Sequence, residues 1–311
     1  MIQDQDPVRY RDLVFDRVER TNDIVYGSAI DKPSGRSVDL KLDVYEPAGD
    51  SEKARPVYIF LFGGGFVQGN KEFEPRQYCE LMARRGYVAV AISYRINQGN
   101  IATDGIPAAV SDTRQALRWL RSEAATHRLD TSRIILGGSS AGAIASLFTA
   151  YTEIEKTGAD ADSKIALVMD LWGGLYTAVN DMETGEPPLI IIHGTADTVV
   201  PFSEATKLRD RAEAVDIPYA FHPLQGEGHA PYKPAELMIL VANFAYDRLW
   251  GQAPLPTAEP SQAPEPTALP SATPEPSATA SPVLPTAAPS AAPTLAPRFE
   301  IFLPWLQRGD R

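Results

Sequence analysis

The chain has 311 residues, 44% of them hydrophobic and 22% charged, enough for one large soluble domain or two ordinary ones. A formal net charge of −11 leaves too little basic surface to neutralise phosphates, so a nucleic-acid partner is not expected. No apolar run approaches the roughly 20 residues that span a bilayer, and the single Cys79 excludes an internal disulfide and a multi-cysteine metal site.

From the N-terminus, "DIVYG" and "VDLKLDVYEP" (38–47) read as paired antiparallel strands, the second alternating apolar and polar with period two. Six near-continuous apolar runs follow at 57–62, 87–94, 133–138, 165–172, 188–194 and 218–224, as expected of strands covered on both faces. Helical patterns lie between them, around 75–85, 107–126, 141–156, 203–214 and 232–248. Cys79 falls in the first of these and reads as a buried structural thiol. Alternating β and α units of this kind predict a doubly wound, mainly parallel sheet with an antiparallel N-terminal hairpin.

Beyond Trp250 the composition changes. Residues 252–297 hold 13 of the 27 prolines, interleaved with Ala, Thr and Ser. Such a stretch buries too little apolar surface to offset its ordering entropy and predicts a disordered stalk, reaching on the order of 140 Å as polyproline II. The tail "RFEIFLPWLQRGDR" is apolar but too short to cross a membrane. The expected division is a catalytic domain at 1–250, a Pro-rich linker at 251–297 and a short apolar tail at 298–311. Stalk and tail resemble the surface-retention segments of exported proteins, which implies a secreted or cell-surface enzyme held through its tail. A signal peptide is then expected ahead of the present Met1, because "MIQDQDPVRY" has no such layout. Read alone, that polar start implies the cytoplasm, and a tail folded back on the domain is the plainer alternative.

The chemistry centres on "GGSSAG" (137–142), which joins a strand to a helical run. One frame fits G-x-S-x-G: Gly138, Ser139, Ser140, Ala141, Gly142, with Ser140 as nucleophile and Ser139 as bystander. A serine nucleophile needs a base, a group that orients the base, and donors for the oxyanion. Of four histidines, His127 sits at a helix C-terminus, and His193 and His222 sit in strands. His229, in the Gly-rich loop "GEGHAP" after the last strand, is the candidate base. Asp197 follows the 188–194 strand and precedes His229, the order this chemistry takes on open α/β sheets. Asp170 reads as strand interior, Asp181 as a weaker loop candidate and Glu227 as solvated; an Asx-turn cap is the plainer reading of Asp197 itself. A second Gly run, "LFGGGFVQG" (61–69), offers the backbone N–H groups of Gly64 and Gly65, with that of Ala141 as a third donor. Phe66 and Trp172 are candidate pocket walls, Trp172 equally a core aromatic.

With those pieces in hand, residues 22–248 resemble an α/β-hydrolase fold serine esterase of the carboxylesterase, hormone-sensitive-lipase-like and feruloyl/acetyl-esterase neighbourhood. The matching pieces are "FGGGFVQG", "AISYR", "SDTRQALRWL", "GGSSAG", "HGTADTVVP" and "GEGHAP". Many relatives begin the Gly motif with His, where this chain has Phe62. The resemblance implies structural roles for Tyr94, Arg95 and Asp112, and no insertion is large enough for a lipase-type lid. It implies a serine hydrolase acting on short-chain or aryl esters, small or polymer-linked. The sequence offers no H-E-x-x-H motif and no dinucleotide fingerprint, so neither metal nor cofactor is expected. A serine peptidase or amidase shares the same order of residues, and a silent hydrolase fold used for surface binding is the third reading.

Overall fold

A computed structural model describes residues 6–160 and 164–251. The expected Pro-rich linker past Gly251 and the tail at 298–311 lie outside the described residues.

Eight strands form one sheet: β1 (Val18–Asp31), β2 (Arg36–Pro47), β3 (Arg55–Leu61), β4 (Val88–Ile92), β5 (Leu129–Ser139), β6 (Leu167–Leu171), β7 (Leu189–Gly194) and β8 (Tyr219–Leu224), in the order β1-β2-β4-β3-β5-β6-β7-β8. The β1/β2 and β2/β4 pairs are antiparallel and the other five are parallel. The fold is therefore the predicted doubly wound, mainly parallel α/β-hydrolase sheet with its antiparallel N-terminal hairpin.

Among the described residues five α-helices cover it: α1 (Glu74–Ala83), α2 (Ile106–Ser122), α3 (Ala141–Tyr151), α4 (Phe202–Ala214) and α5 (Pro234–Leu249). Alternation along β3 shows why its run is apolar throughout. Val57, Ile59 and Leu61 face a core cluster shared with α2, α3 and α4, whereas Tyr58 and Phe60 face one shared with α1 and α5. Cys79 is buried in the second cluster, as expected. One turn of π-helix, Ile101–Gly105, precedes α2 and was not anticipated; Asn100 caps it, its side chain accepting from the Ala102 and Thr103 N–H groups.

Parallel register brings the carboxyl ends of β3, β5, β6 and β7 to one edge, with Leu61 beside Gly138, Ser139 beside Leu171 and Leu171 beside Ile192. The candidate residues all follow strand ends along this edge. The loop after β4 is tied down from below: the Arg95 guanidinium meets Asp112 of α2 at 2.8 Å, and the Asp112 carboxylate also accepts from the Arg95 backbone N–H at 2.8 Å. Removing one partner of such an enclosed pair strands the other charge. Asp112→Ala is expected to lower unfolding free energy by about 3 kcal/mol. Chemical denaturation would measure this. At a temperature where the variant is folded, its turnover per folded molecule should stay within about threefold of wild type.

Candidate active site

β5 ends at Ser139, and the chain turns at once into α3. Ser140 holds φ +49°, ψ −117°, a region that non-glycine residues occupy only under constraint. The constraint is visible: the Ser140 N–H donates to the Leu171 carbonyl at 2.9 Å, and the Ser140 carbonyl accepts from the Ile144 N–H at 2.9 Å. Gly142 is required by close approach, since a Cβ there would lie 2.1 Å from the Leu61 carbonyl oxygen.

The loops after β7 and β8 are bound to each other before they reach the serine. Ala196 N–H donates to the Glu227 carbonyl at 2.9 Å, and Thr195 Oγ1 accepts from the Gly226 N–H at 2.9 Å. That lattice delivers His229 to Asp197. His229 Nδ1–H donates to Asp197 Oδ2 at 2.7 Å, and the Ser140 hydroxyl donates to Nε2 at 3.0 Å. The carboxylate can only accept, so the tautomer follows. Ser140, His229 and Asp197 thus form one hydrogen-bonded line.

Asp197 is 6% exposed and fully supplied with donors. Its Oδ1 accepts from the N–H groups of Val199 and Val200 at 2.8 and 3.1 Å. Its Oδ2 lies 3.2 Å from Nε2 of His193, whose N–H also donates to the Val200 carbonyl at 2.9 Å. Burial would raise the Asp197 carboxyl, but hydrogen bonds from His193 and His229 and the charge on His229 hold it far below the usual carboxylate range. Burial pushes His193 down, yet its bond to Asp197 and the charge of Asp170 carry it upward overall. Asp170 is interior to β6, as read from sequence, and burial lifts it to about 6 against the opposing charge of His193 and the Gly173 N–H.

The turn after β3 holds the second group of candidates. Gly64 has φ +124°, and a Cβ there would lie 2.1 Å from the Gln68 carbonyl oxygen, so only glycine fits. Its carbonyl closes the turn by accepting from Val67 and Gln68 N–H at 3.2 and 3.1 Å. Gly65 and Ala141 line a narrow cavity together with Ser140, Phe66, Ile144, Tyr176, Val199 and Val200. Gly64 stands one residue away in the same turn.

Phe66 is therefore at the cavity, but Trp172 is not in its lining. Trp172 is 1% exposed and belongs to the core cluster of Tyr58 and Phe60 on the α1/α5 side. It stands just past β6 at φ +47°, which breaks the strand alternation and leaves it in the same cluster as Leu171. The aromatic from the β6 loop that reaches the cavity is Tyr176, which sequence reasoning missed. Ser139 also departs from its bystander reading: its hydroxyl donates to Glu74 Oε2 at 2.8 Å. Of the remaining histidines, His127 lies 3.8 Å from Glu46, and burial lowers His222 on β8. Glu227 pairs with Lys233. A larger open groove of about 390 Å³, lined by Lys32, Arg95, Gln98, Asp104 and Glu155 among others, contains none of the candidate residues.

Among the described residues, Asp23, Asp43 and Glu72 lie close enough together to suggest a cation site. Lys71 already fills that role, with its Nζ at 3.1, 2.9 and 2.7 Å from the three carboxylates.

The sheet topology and the turn at Ser140 are those of an α/β-hydrolase. A family model described as BD-FAE matches residues 42–180, and one described as the prolyl oligopeptidase family matches residues 174–246. A solved esterase 2 of Thermogutta terrifontis, phosphorylated by paraoxon, is 25% identical, with a TM-score of 0.64 over 79% of this chain and 99% of that one. A probable carboxylic ester hydrolase of Mycobacterium tuberculosis, LipM, is 24% identical over 76% of this chain and 62% of the relative. Esterase LipC of the same organism is 22% identical over 60% of this chain and 56% of the relative. The chain thus spans less than two thirds of the length of these curated relatives. The chain has an α/β-hydrolase fold and is similar to these esterases over most of its described length.

The depressed Asp197 carboxyl has a signed consequence for stability. Its folded value lies below the unfolded value near ~3.9, so its contribution is present above that pH and is lost as pH falls. Urea midpoints of wild type should fall steeply on acidification below pH ~4. Asp197→Asn should be less stable than wild type at neutral pH and should lose stability less steeply in acid.

Proposed function

We propose that the protein hydrolyses carboxylic esters through an acyl-enzyme on Ser140. The observation that carries this reading is the hydrogen-bonded line from Asp197 through His229 to a strained serine at the wall of a cavity. Ser140 Oγ attacks the ester carbonyl carbon while its proton passes to His229 Nε2. Asp197 holds the imidazole in the required tautomer and stabilises the imidazolium. The carbonyl oxygen, now an oxyanion, is met by the backbone N–H groups of Gly64, Gly65 and Ala141, the last at the positive end of α3. Collapse breaks the bond to the alkoxy oxygen, which takes the proton back from Nε2 and leaves as alcohol. Water then repeats the sequence on the acyl-enzyme, its proton going to Nε2, and the acid departs with Ser140 restored.

The cavity walls support a short acyl chain. Phe66, Ile144, Tyr176, Val199 and Val200 enclose a narrow apolar space beside the nucleophile. Outside it, Phe73 and Tyr232 are 72% and 50% exposed and stacked, with ring centroids 6.4 Å apart. Phe73 precedes Glu74 and Tyr232 stands three residues after His229, so the pair offers an aromatic ledge to the alcohol side of an ester. That ledge and the composition of residues 251–297 support an exported or surface-held enzyme acting on aryl or acetyl esters attached to a polymer. Immunodetection of the protein in culture supernatant and cell-surface fractions tests the location, and its recovery in the cytosolic fraction alone would refute it. A peptidase reading draws on the prolyl oligopeptidase match, whose span carries both Asp197 and His229.

Initial rates on p-nitrophenyl acetate, butyrate and octanoate, ethyl ferulate and a p-nitroanilide separate these readings. Acetate and butyrate should be turned over fastest, with Ser140→Ala slower by several powers of ten. A preference for the anilide would favour the peptidase. Equal near-background rates for both proteins would end the hydrolase reading. Ile144→Ala, which removes a cavity wall, should raise the butyrate-to-acetate ratio of kcat/KM by about tenfold. An unchanged ratio would show that the acyl group sits elsewhere.

A further inference from the structure

Glu74 opens α1, with Pro75 fixing the helix start behind it. The residue before it, Phe73, makes no side-chain cap bond, and the Glu74 carboxylate is directed across the sheet edge. Its Oε2 accepts from the Ser139 hydroxyl at 2.8 Å and from the Gly63 N–H at 3.4 Å. These donors belong to different strand ends. Gly63 begins the turn that carries Gly64 and Gly65, and Ser139 immediately precedes Ser140. The two segments also touch directly, since a Cβ on Gly63 would lie 3.0 Å from Ser139 Oγ and 3.2 Å from its carbonyl oxygen.

We propose that Glu74 is a positioning residue of the site, an acceptor that clamps the oxyanion turn to the nucleophile turn through Gly63 and Ser139. This rests on the reading of Ser140 as nucleophile and of Gly64, Gly65 and Ala141 as oxyanion donors. Two of those donors lie on one side of the clamp, and the nucleophile and third donor on the other. Rate depends steeply on the spacing between them, because donors aimed at the wrong point stabilise the ground state as much as the transition state.

The requirement is for an acceptor oxygen more than for a charge. The titratable groups facing Glu74 are His229 from the β8 loop, Tyr58 from β3, Tyr78 on α1 itself, Tyr94 after β4, and Tyr232. Burial pushes the carboxyl upward, against the Ser139 and Gly63 bonds and the His229 charge. A protonated carboxyl still presents a carbonyl oxygen to both donors, and so does an amide.

The test uses Glu74→Ala, Glu74→Gln, Ser139→Ala, the double variant Glu74→Ala/Ser139→Ala, and Ser140→Ala as reference. The readouts are p-nitrophenyl acetate kinetics and the rate of covalent labelling by paraoxon. Glu74→Ala should lose about 10- to 100-fold in kcat and in labelling rate, with KM within about threefold. Ser139→Ala should lose a similar amount, and the double variant should be no worse than either, since one link is broken twice. Glu74→Gln should recover most of the loss and keep the wild-type pH profile. The clamp is overturned if Glu74→Ala keeps wild-type kcat, if the loss falls on KM, if the two single losses multiply in the double variant, or if Glu74→Gln is as impaired as Glu74→Ala. Should Glu74→Ala fail to fold, Ser139→Ala and Glu74→Gln carry the same decision. Ser140→Ala at the wild-type rate would instead overturn the esterase reading beneath the proposal, a result no Glu74 variant can mimic.

Discussion

Three backbones meet at the carboxyl edge of the sheet more closely than side chains permit: the end of β3, the turn at Ser140 and the first turn of α3. The carbonyl oxygen of Leu61 occupies the space where a Cβ of residue 142 would be, at 2.1 Å. Everything at the site follows from that contact. It forces glycine at 142, it holds α3 with its N-terminus against the β3 turn, and it leaves Ser140 the constrained conformation that lifts its hydroxyl clear of the helix. The same contact brings Ala141 and Gly65 to the lining of one cavity. Phe66, Ser140 and Tyr176 all line it, and all have positive φ, at +63°, +49° and +52°. Strain concentrated in this way persists only because the surrounding packing over-determines it.

A buried carboxylate is the second requirement, and Asp197 meets it by filling every acceptor position. Two backbone N–H groups take Oδ1, and two imidazoles approach Oδ2. Without those donors a carboxyl so enclosed would be pushed toward neutrality and would accept weakly from His229. His193 has a part here that its strand position hides. Its Nε2–H is anchored on the Val200 carbonyl, so the loop carrying Asp197 is closed around a fixed imidazole rather than a mobile one. The loop after β8 is then bound to the Asp197 loop through Ala196 and Glu227, and His229 arrives already oriented.

The sheet was legible in the sequence because its central parallel strands are buried on both faces. A short, mostly apolar run rich in β-branched residues, bounded by turn residues and too short for a helix, fits a strand in the middle of such a sheet. Ser140, His229 and Asp197 were legible as a group because each sits just beyond such a run, in glycine-rich or turn-forming surroundings. What escaped was set by contacts between distant segments. Ser139 reads as idle until Glu74, 65 residues away, is brought against it, and nothing in "EFEPRQY" marks that glutamate as different from any acidic first-turn residue. Trp172 and Tyr176 differ in the same way. Both are aromatic, and both follow β6 within five residues. Only the face of the sheet decides that one enters the core beside Tyr58 and the other lines the cavity.

Phe62 shows how far the chemistry constrains identity and how far it constrains position. The first residue of the Gly turn carries no side-chain donor here, so the turn must be supported from elsewhere. The Tyr94 hydroxyl donates to the Phe62 carbonyl at 2.7 Å, and the two rings stack with centroids 4.2 Å apart. The turn's support thus comes from Tyr94, two residues past β4, a strand that parallel register holds beside β3. Gly69 completes it, since a Cβ there would strike the Phe62 ring at 2.5 Å. The oxyanion donors proposed for this turn are main-chain groups, so the reaction asks only that this backbone be held still. A hydroxyl, a ring stack and one glycine meet that demand without any polar side chain at the turn's first position.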